Sequence, residues 1–406
     1  MERIIEFFNK NKRWIFVFLC ALPFFNDAYV PIQGFLDLFM DNAKTVVVVL
    51  LLFLYIKNKK KFSLLTIILF LMEIWWLIST LINYPIKGND YVYFKLFFDI
   101  MSILAMGLIV EYFKDTPKDL IKGLMLNLEL AIYPNFVTVL LKNIPGDRYY
   151  LIGFYAVLIL WFMPAICVST IYMIQNKKYI RGSLLIGISL LSAAIVRCAT
   201  ITVAFLGMFG TILLGFILFK TNKFKNFKIP LSLLFVIAVL LNVFVLFAYS
   251  GGSFPLIDVF IQKVLNRSTS FTGRTMIWEV AIGMIKEKPF FGHGFRPDVP
   301  LSNGLTVIHA HNKFLQELNV GGVVALFIFV LFHIVLCIKV DKSKNTFARL
   351  VMVGACFGIS LTYITEAYKK FFRLYLVFFI AYYIDDLIKD YIGIKKEKIL
   401  LNNNER

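Results

Sequence analysis

Three of the chain's four histidines, His293, His309 and His311, fall within nineteen residues of one polar segment. Histidine is the side chain that takes up a proton near neutral pH without a large displacement of its ordinary pKa. His309-Ala310-His311-Asn312 stands directly before a long apolar run. A base at that boundary could deprotonate a sugar hydroxyl while a lipid tail stays in the bilayer. The competing reading is a solvated loop histidine. A His-x-His pair can also ligate zinc, with His293 as a third ligand. The segment offers no thiolate, however, and its acidic residues show no ligand pattern, so the residues favour chemistry without a metal.

Two arginines could serve such a base. Arg197 lies where two apolar runs meet. Charge at membrane depth is expensive and is usually functional or paired. An arginine beside a lipid-diphosphate path can clamp phosphate oxygens in bidentate fashion, and the bland alternative is a residue snorkelling from a helix end. Arg274 opens a segment with helical character, where its charge opposes the helix dipole unless an anion also docks there. Trp278 follows one turn later on the same face and reads either as a ring that stacks on a sugar or as an interfacial anchor. Glu73, Asp99 and Glu129 lie in or near apolar runs. They could bind ions or pair with a cation of a neighbouring helix.

The elements that position these groups are membrane helices. Of the 406 residues, 59% are hydrophobic, and the mean hydropathy is +0.77. Soluble domains hold roughly 45–50% apolar residues. The excess lies in Leu/Ile/Phe-rich runs of about twenty residues, enough to cross a bilayer as a helix. About twelve such runs are expected, near 14–30, 39–56, 64–83, 94–112, 120–141, 150–174, 182–197, 200–219, 230–249, 321–338, 347–366 and 371–388. The first shows no cleavage site followed by a soluble domain, so it should remain a helix. Cys20, Cys167, Cys198, Cys337 and Cys356 lie in or beside the runs and read as small apolar residues.

The net charge of +18 would suggest nucleic acid in a soluble protein. Here the lysines and arginines sit in short clusters between apolar runs, after the second, sixth, eighth and tenth. They read as topology signals that place both termini in the cytoplasm. Only Lys369, Lys370 and Arg373, between the last two runs, conflict. With twelve spans, residues 250–320 form one large extracytoplasmic loop. Within it, Pro255 to Leu265 carries an apolar stripe suited to the membrane interface. A second helix is expected from Arg274 to Lys288, capped by Thr272 and ended by Pro289. The domain plan is therefore nine helices over 1–249, the loop over 250–320, three helices over 321–388 and a basic cytoplasmic tail over 389–406.

Three stretches of this loop, taken in order, resemble a known family. They are Gly273-Arg274-Thr275-Met276-Ile277-Trp278, then Lys288-Pro289-Phe290-Phe291-Gly292-His293-Gly294-Phe295, then His309-Ala310-His311-Asn312-Lys313-Phe314-Leu315. The pattern of Arg with a following Trp, Pro with a Gly-x-Gly, and His-Asn before a span resembles the O-antigen ligase/polymerase family of bacterial membrane proteins. Arg197 resembles the mid-chain arginine of that family. Two positions depart from its pattern: Val196 stands where Ser often precedes the arginine, and Asn319 stands where Glu often precedes the glycine, although Glu317 is near.

The resemblance implies an all-α polytopic glycosyltransferase of the lipid-sugar-using (GT-C-like) architecture in the bacterial inner membrane. It implies an undecaprenyl-diphosphate-linked glycan donor, a lipid-linked glycan acceptor, and neither cofactor nor metal. A chain-length regulator would be a fitting partner; nucleic acid would not. His311 would activate the acceptor hydroxyl, Arg197 and Arg274 would hold the diphosphate, and His309, Asn312, Trp278, Gly292 and Gly294 would support the site. The expected function is polymerisation of repeat units for capsule, exopolysaccharide or O-antigen. The alternatives are a ligase that attaches O-antigen to lipid A core, a transporter or lipid-glycan flippase, and a non-catalytic scaffold. A transporter would show paired intramembrane charges or interrupted helices in two related halves, and no such symmetry is visible in the sequence.

Overall fold

The computed structural model describes residues 2–25, 35–85, 87–141, 149–220, 228–251, 274–295, 299–300, 306–307, 309–367 and 372–391. The expected stripe at 255–265 and the Thr272 cap lie outside them. The protein is an all-α polytopic membrane protein. In chain order its helices are α1 (Glu2–Ala21), α2 (Phe35–Lys57), α3 (Leu64–Asn83), α4 (Asp90–Phe113), α5 (Pro117–Leu141), α6 (Ile159–Asn176), α7 (Tyr179–Val196), α8 (Ala199–Lys220), α9 (Leu231–Gly251), α10 (Arg274–Glu287), α11 (Lys313–Lys342), α12 (Phe347–Thr362), α13 (Phe372–Tyr382) and α14 (Ile384–Leu387). Two small antiparallel hairpins interrupt them: β1 (Tyr149–Tyr150) with β2 (Gly153–Phe154), and β3 (Val299–Pro300) with β4 (Thr306–Val307).

Among the described residues, eight helices are long and apolar enough to cross a membrane, and three more apolar helices, within α9, α12 and α13, are shorter. The ends differ from the sequence expectation where local chemistry intervenes. The first helix begins before residue 14 and stops at Ala21, ahead of Pro23. The expected run at 150–174 opens with the β1–β2 hairpin and a 3-10 turn, because Gly153, at φ +135°, reverses the chain there. The helix expected from 321 begins at Lys313 instead, since Asn312 caps it. The helix expected from Arg274 to Lys288 is present as α10 and gives way just before Pro289.

The middle of the bundle is built by α6 and α13. Residues 159–172 of α6 and 372–381 of α13 are all buried, as expected of helices apolar on every side. Arg373 belongs to this centre. Its guanidinium lies 3.8 Å from the Trp161 ring centroid and donates to Phe24 O at 2.8 Å. Arg373, one of the three cations that conflict with the charge pattern, is thus sheathed by aromatic rings; Lys369 and Lys370 lie outside the described residues. All five cysteines are buried and unpaired.

Glycine sets the register of α8 against α12. A methyl on Gly358 would lie 2.2 Å from Ala204 O, and one on Gly354 would lie 2.8 Å from Met208 O. The backbones therefore touch, as small residues permit in membrane helix pairs. The two helices run antiparallel, because higher numbers on α8 meet lower numbers on α12. The turn before α8 consequently lies level with the residues that follow α12.

A break in α11 seats the polar segment. Gly321 and Gly322 leave helical geometry, with Gly322 at φ +66°. The freed carbonyls take up the loop: His293 N donates to Asn319 O at 2.7 Å and Gly294 N to Val320 O at 3.0 Å. The end of α3 completes the seat. Trp75 Nε1 donates to Gly321 O at 2.7 Å, Ser79 Oγ to Val320 O at 2.7 Å, and Asn83 Nδ2 to Gly292 O at 3.0 Å. A Cβ on Gly322 would meet Phe290 O at 2.2 Å. Gly322→Ala adds that clash to a left-handed φ, so it should destabilise the protein by more than about 1 kcal/mol. An unchanged melting temperature in detergent would contradict this account of the break.

Candidate functional site

The site begins with Asn312. Its side chain accepts from Phe314 N and Leu315 N, both at 3.1 Å, which caps α11. Its amide nitrogen donates to Asn242 Oδ1 and Ile364 O, both at 3.3 Å. Asn312 therefore ties α11 to α9 and to the connection after α12. Lys313 N also donates to Tyr363 O at 2.9 Å. His311, immediately before the cap, is forced to φ +48°, a left-handed conformation costly to a side chain with Cβ. The His309 and His311 ring centroids lie 4.0 Å apart, and His311 N donates to His309 Nδ1 at 3.2 Å.

The connection after α12 carries Glu366. Its Oε1 accepts from Arg274 Nη2 at 2.9 Å, and its Oε2 lies 3.5 Å from His311 Nδ1. The second distance is an ion-pair contact, longer than a well-formed hydrogen bond. Burial by itself would raise this carboxyl's pKa. The contact and charge of His311, whose Nδ1 makes no well-formed hydrogen bond among the described residues, then the charges of Arg274 and His309, outweigh burial and hold it below the ordinary carboxylate range. Arg274 keeps its Nε buried without a hydrogen-bond partner among the described residues.

Arg197 ends α7 at φ +50°, a left-handed position usually given to glycine. Its side chain is exposed and forms no hydrogen bond or ion pair among the described residues. It stands at the same end of the bundle as Glu366 by the α8–α12 register. Its neighbour Cys198 supports that placement: the thiol is pushed up chiefly by burial, with a contribution from the Glu366 carboxylate. His311 and Arg274 thus meet on one carboxylate, and Arg197 joins them by register rather than by contact.

The supporting residues act through packing. Trp278 is 3% exposed and packs with Ala281, Ala310 and Leu315. Its indole is neither a sugar-stacking platform nor an interfacial anchor; it fixes α10 beneath the His309–His311 turn. Gly292, at φ +67°, lies where a Cβ would strike the backbone of residues 319–321, and Gly294, at φ +83°, lies against Tyr84. His293 is drawn away from the other histidines, because its Nε2 bonds to Met284 O at 2.8 Å near the end of α10.

The third ligating group beside His309 and His311 is therefore Glu366, not His293. The ligating atoms of these three lie within 4.8 Å of one another, a set that could hold a metal ion. Arg274, already bound to the same carboxylate, sets a fixed positive charge against that use. Sequence reasoning missed Glu366. The signal available was a carboxylate closing the eleventh apolar run, obscured by the cations that follow it. Two of the three intramembrane acids are placed as well: Glu129 pairs with Arg181 at 2.5 Å, while neither oxygen of buried Glu73 has a hydrogen-bond partner among the described residues.

Residues 183–330 match the model of a family described as O-antigen ligase. No curated protein matches the chain. The matched segment is little more than a third of the chain and contains Arg197, Arg274, His309, His311 and Asn312; Glu366 lies beyond it. The match supports an O-antigen ligase- or polymerase-type glycosyl transfer in polysaccharide assembly, with lipid-linked glycans as substrates.

Because the Glu366 carboxyl is depressed in the folded protein, its stabilising contribution is complete above the unfolded value and is lost as pH falls through the folded one. The stability advantage of wild type over Glu366→Gln should therefore be full above about pH 5 and should shrink below about pH 4. Thermal melts of both proteins across that range test this. An advantage that grows on acidification would contradict it.

Proposed function

We propose that the protein polymerises undecaprenyl-diphosphate-linked oligosaccharide repeat units into capsule, exopolysaccharide or O-antigen on the outer face of the bacterial inner membrane. The reading takes twelve spans, cytoplasmic termini and a GT-C-like arrangement, with residues 250–320 outside. The observation that carries it is the convergence of a guanidinium and an imidazole on Glu366 at the head of a membrane helix. Most of that cluster lies in the segment matching the O-antigen ligase family.

The acceptor hydroxyl gives its proton to His311 as its oxygen attacks the anomeric carbon of the donor glycan. The bond from that carbon to the diphosphate oxygen breaks, and the lipid diphosphate leaves with the electron pair. Direct displacement inverts the anomeric carbon. Negative charge develops on the leaving diphosphate, where Arg197 and Arg274 stabilise it as a divalent ion would. The membrane boundary orients both lipid-anchored reactants over the base.

A second reading is transfer of finished O-antigen to lipid A core, favoured by the description of the matched family. Product analysis separates the two. Purified protein given a lipid-diphosphate-linked repeat unit should yield a ladder on a gel if it polymerises, whereas product appearing only on added lipid A core would establish the ligase. His311→Ala should lower turnover by about 10²–10⁴-fold while donor binding persists. Wild-type turnover in that variant would remove His311 from the chemistry. A chelator should leave the rate unchanged. Loss of activity with chelator and recovery with zinc would instead assign His309, His311 and Glu366 to a metal.

A further inference from the structure

We propose that Glu366 is the positioning residue of this site: one carboxylate oxygen orients His311 as a base, and the other fixes Arg274 beside it. The inference rests on the reading of His311 as the proton acceptor, and it adds a residue outside the matched family segment. Each other buried carboxylate has a different setting. Glu129 is held by Arg181, Glu317 by Lys313 and Trp76, and Glu111 by Ser63 and Thr66. Glu73 lies inside α3. Among the described residues Glu366 is the carboxylate that meets both His311 and Arg274.

The arrangement has a defined chemical consequence. An imidazole whose Nδ1–H points at a carboxylate carries its lone pair on Nε2. With Oε2 of Glu366 beside Nδ1, the Nε2 edge of His311 is left for the acceptor hydroxyl. When that hydroxyl gives up its proton, Nε2 gains it and the ring becomes an imidazolium. Glu366 stabilises the new charge without taking the proton itself, the role a buried carboxylate plays behind other histidine bases. The 3.5 Å separation is of the kind that tightens when substrate binds. Oε1 meanwhile keeps Arg274 at a fixed offset from the base, so the group that meets the leaving diphosphate and the group that meets the attacking hydroxyl share one rigid spacer.

His309 and Arg274 are the charged or titratable groups that face the carboxylate together with His311, and the Cys198 thiol in the turn before α8, raised chiefly by burial, takes a smaller contribution from it. Each comes from a different part of the chain: the segment before α11, the first residue of α10, and the turn before α8. The carboxylate thus links the first residue of α10 to the segment before α11 through charge, where the Trp278 cluster links the same elements through apolar packing.

The test is steady-state kinetics of the full chain in detergent with a lipid-diphosphate-linked repeat unit. Glu366→Gln keeps the shape and removes the charge, so kcat should fall about 10²–10⁴-fold. Donor KM should change far less, by about threefold at most. Glu366→Asp retains a carboxylate and should recover at least about tenfold of the lost kcat. A purely structural residue would not discriminate the two variants in this way. The proposal is overturned if Glu366→Gln turns over within about threefold of wild type while His311→Ala is inactive; the base assignment would then stand alone. It is equally overturned if the Asp and Gln variants lose kcat, KM and melting temperature together. Wild-type turnover by His311→Ala would instead sink the underlying reading of the base.

Discussion

A buried carboxylate must be met by positive charge or hydrogen-bond donors, because removing an ionised oxygen from water is costly unless it is paired. At Glu366 that requirement organises one end of the molecule. Its two oxygens draw in the first residue of α10 and the residue before the α11 cap, from segments more than fifty residues away in the chain. The rest of this end can be understood as scaffolding for that meeting. Trp278 holds α10 down, Asn312 holds α11 to α9 and to Ile364, and the glycine contacts of α8 with α12 bring the Arg197 turn level with it.

Two of the left-handed positions fall at this same end. Among the described residues, Lys59, Lys177, Arg197 and His311 are the non-glycine residues with positive φ. The two lysines end helices at sharp turns. Arg197 also ends a helix, yet its exposed guanidinium has no bonding partner among the described residues. His311 is bent by the cap that follows it. Such conformations persist only where surrounding contacts over-determine them, and here Asn312 supplies four hydrogen bonds directly beside the strained residue.

Much of this was legible in the sequence, because the membrane imposes a coarse code. Apolar runs mark helices regardless of neighbours, and α7 and α8 emerge close to the runs that predict them. His311, Arg274 and the Gly-x-Gly stretch were visible because short-range spacing carries them. What remained hidden depends on contacts across the chain. Glu366 belongs to the site only because α12 delivers it there, and no local pattern announces that. Trp278 looked like an exposed aromatic until α9 and Ala310 covered it. His293 looked like a third member of a cluster until the left-handed glycines on either side turned it toward Met284. Arg373 looked like a charge signal until Trp161 stacked against it.

The break at Gly321–Gly322 has a consequence for biosynthesis. The Pro289–Phe295 stretch is translated before the carbonyls of Asn319, Val320 and Gly321 exist, although the α3 groups that bracket it are already in place. It can therefore find only half of its seat until α11 leaves the ribosome. The carboxylate follows later still, from beyond α12. The ribosome thus delivers this end of the protein piecemeal, and a nascent chain halted before residue 366 would hold His311 and Arg274 without the carboxylate that both contact. That order leaves this end of the protein incomplete until nearly every helix has been translated.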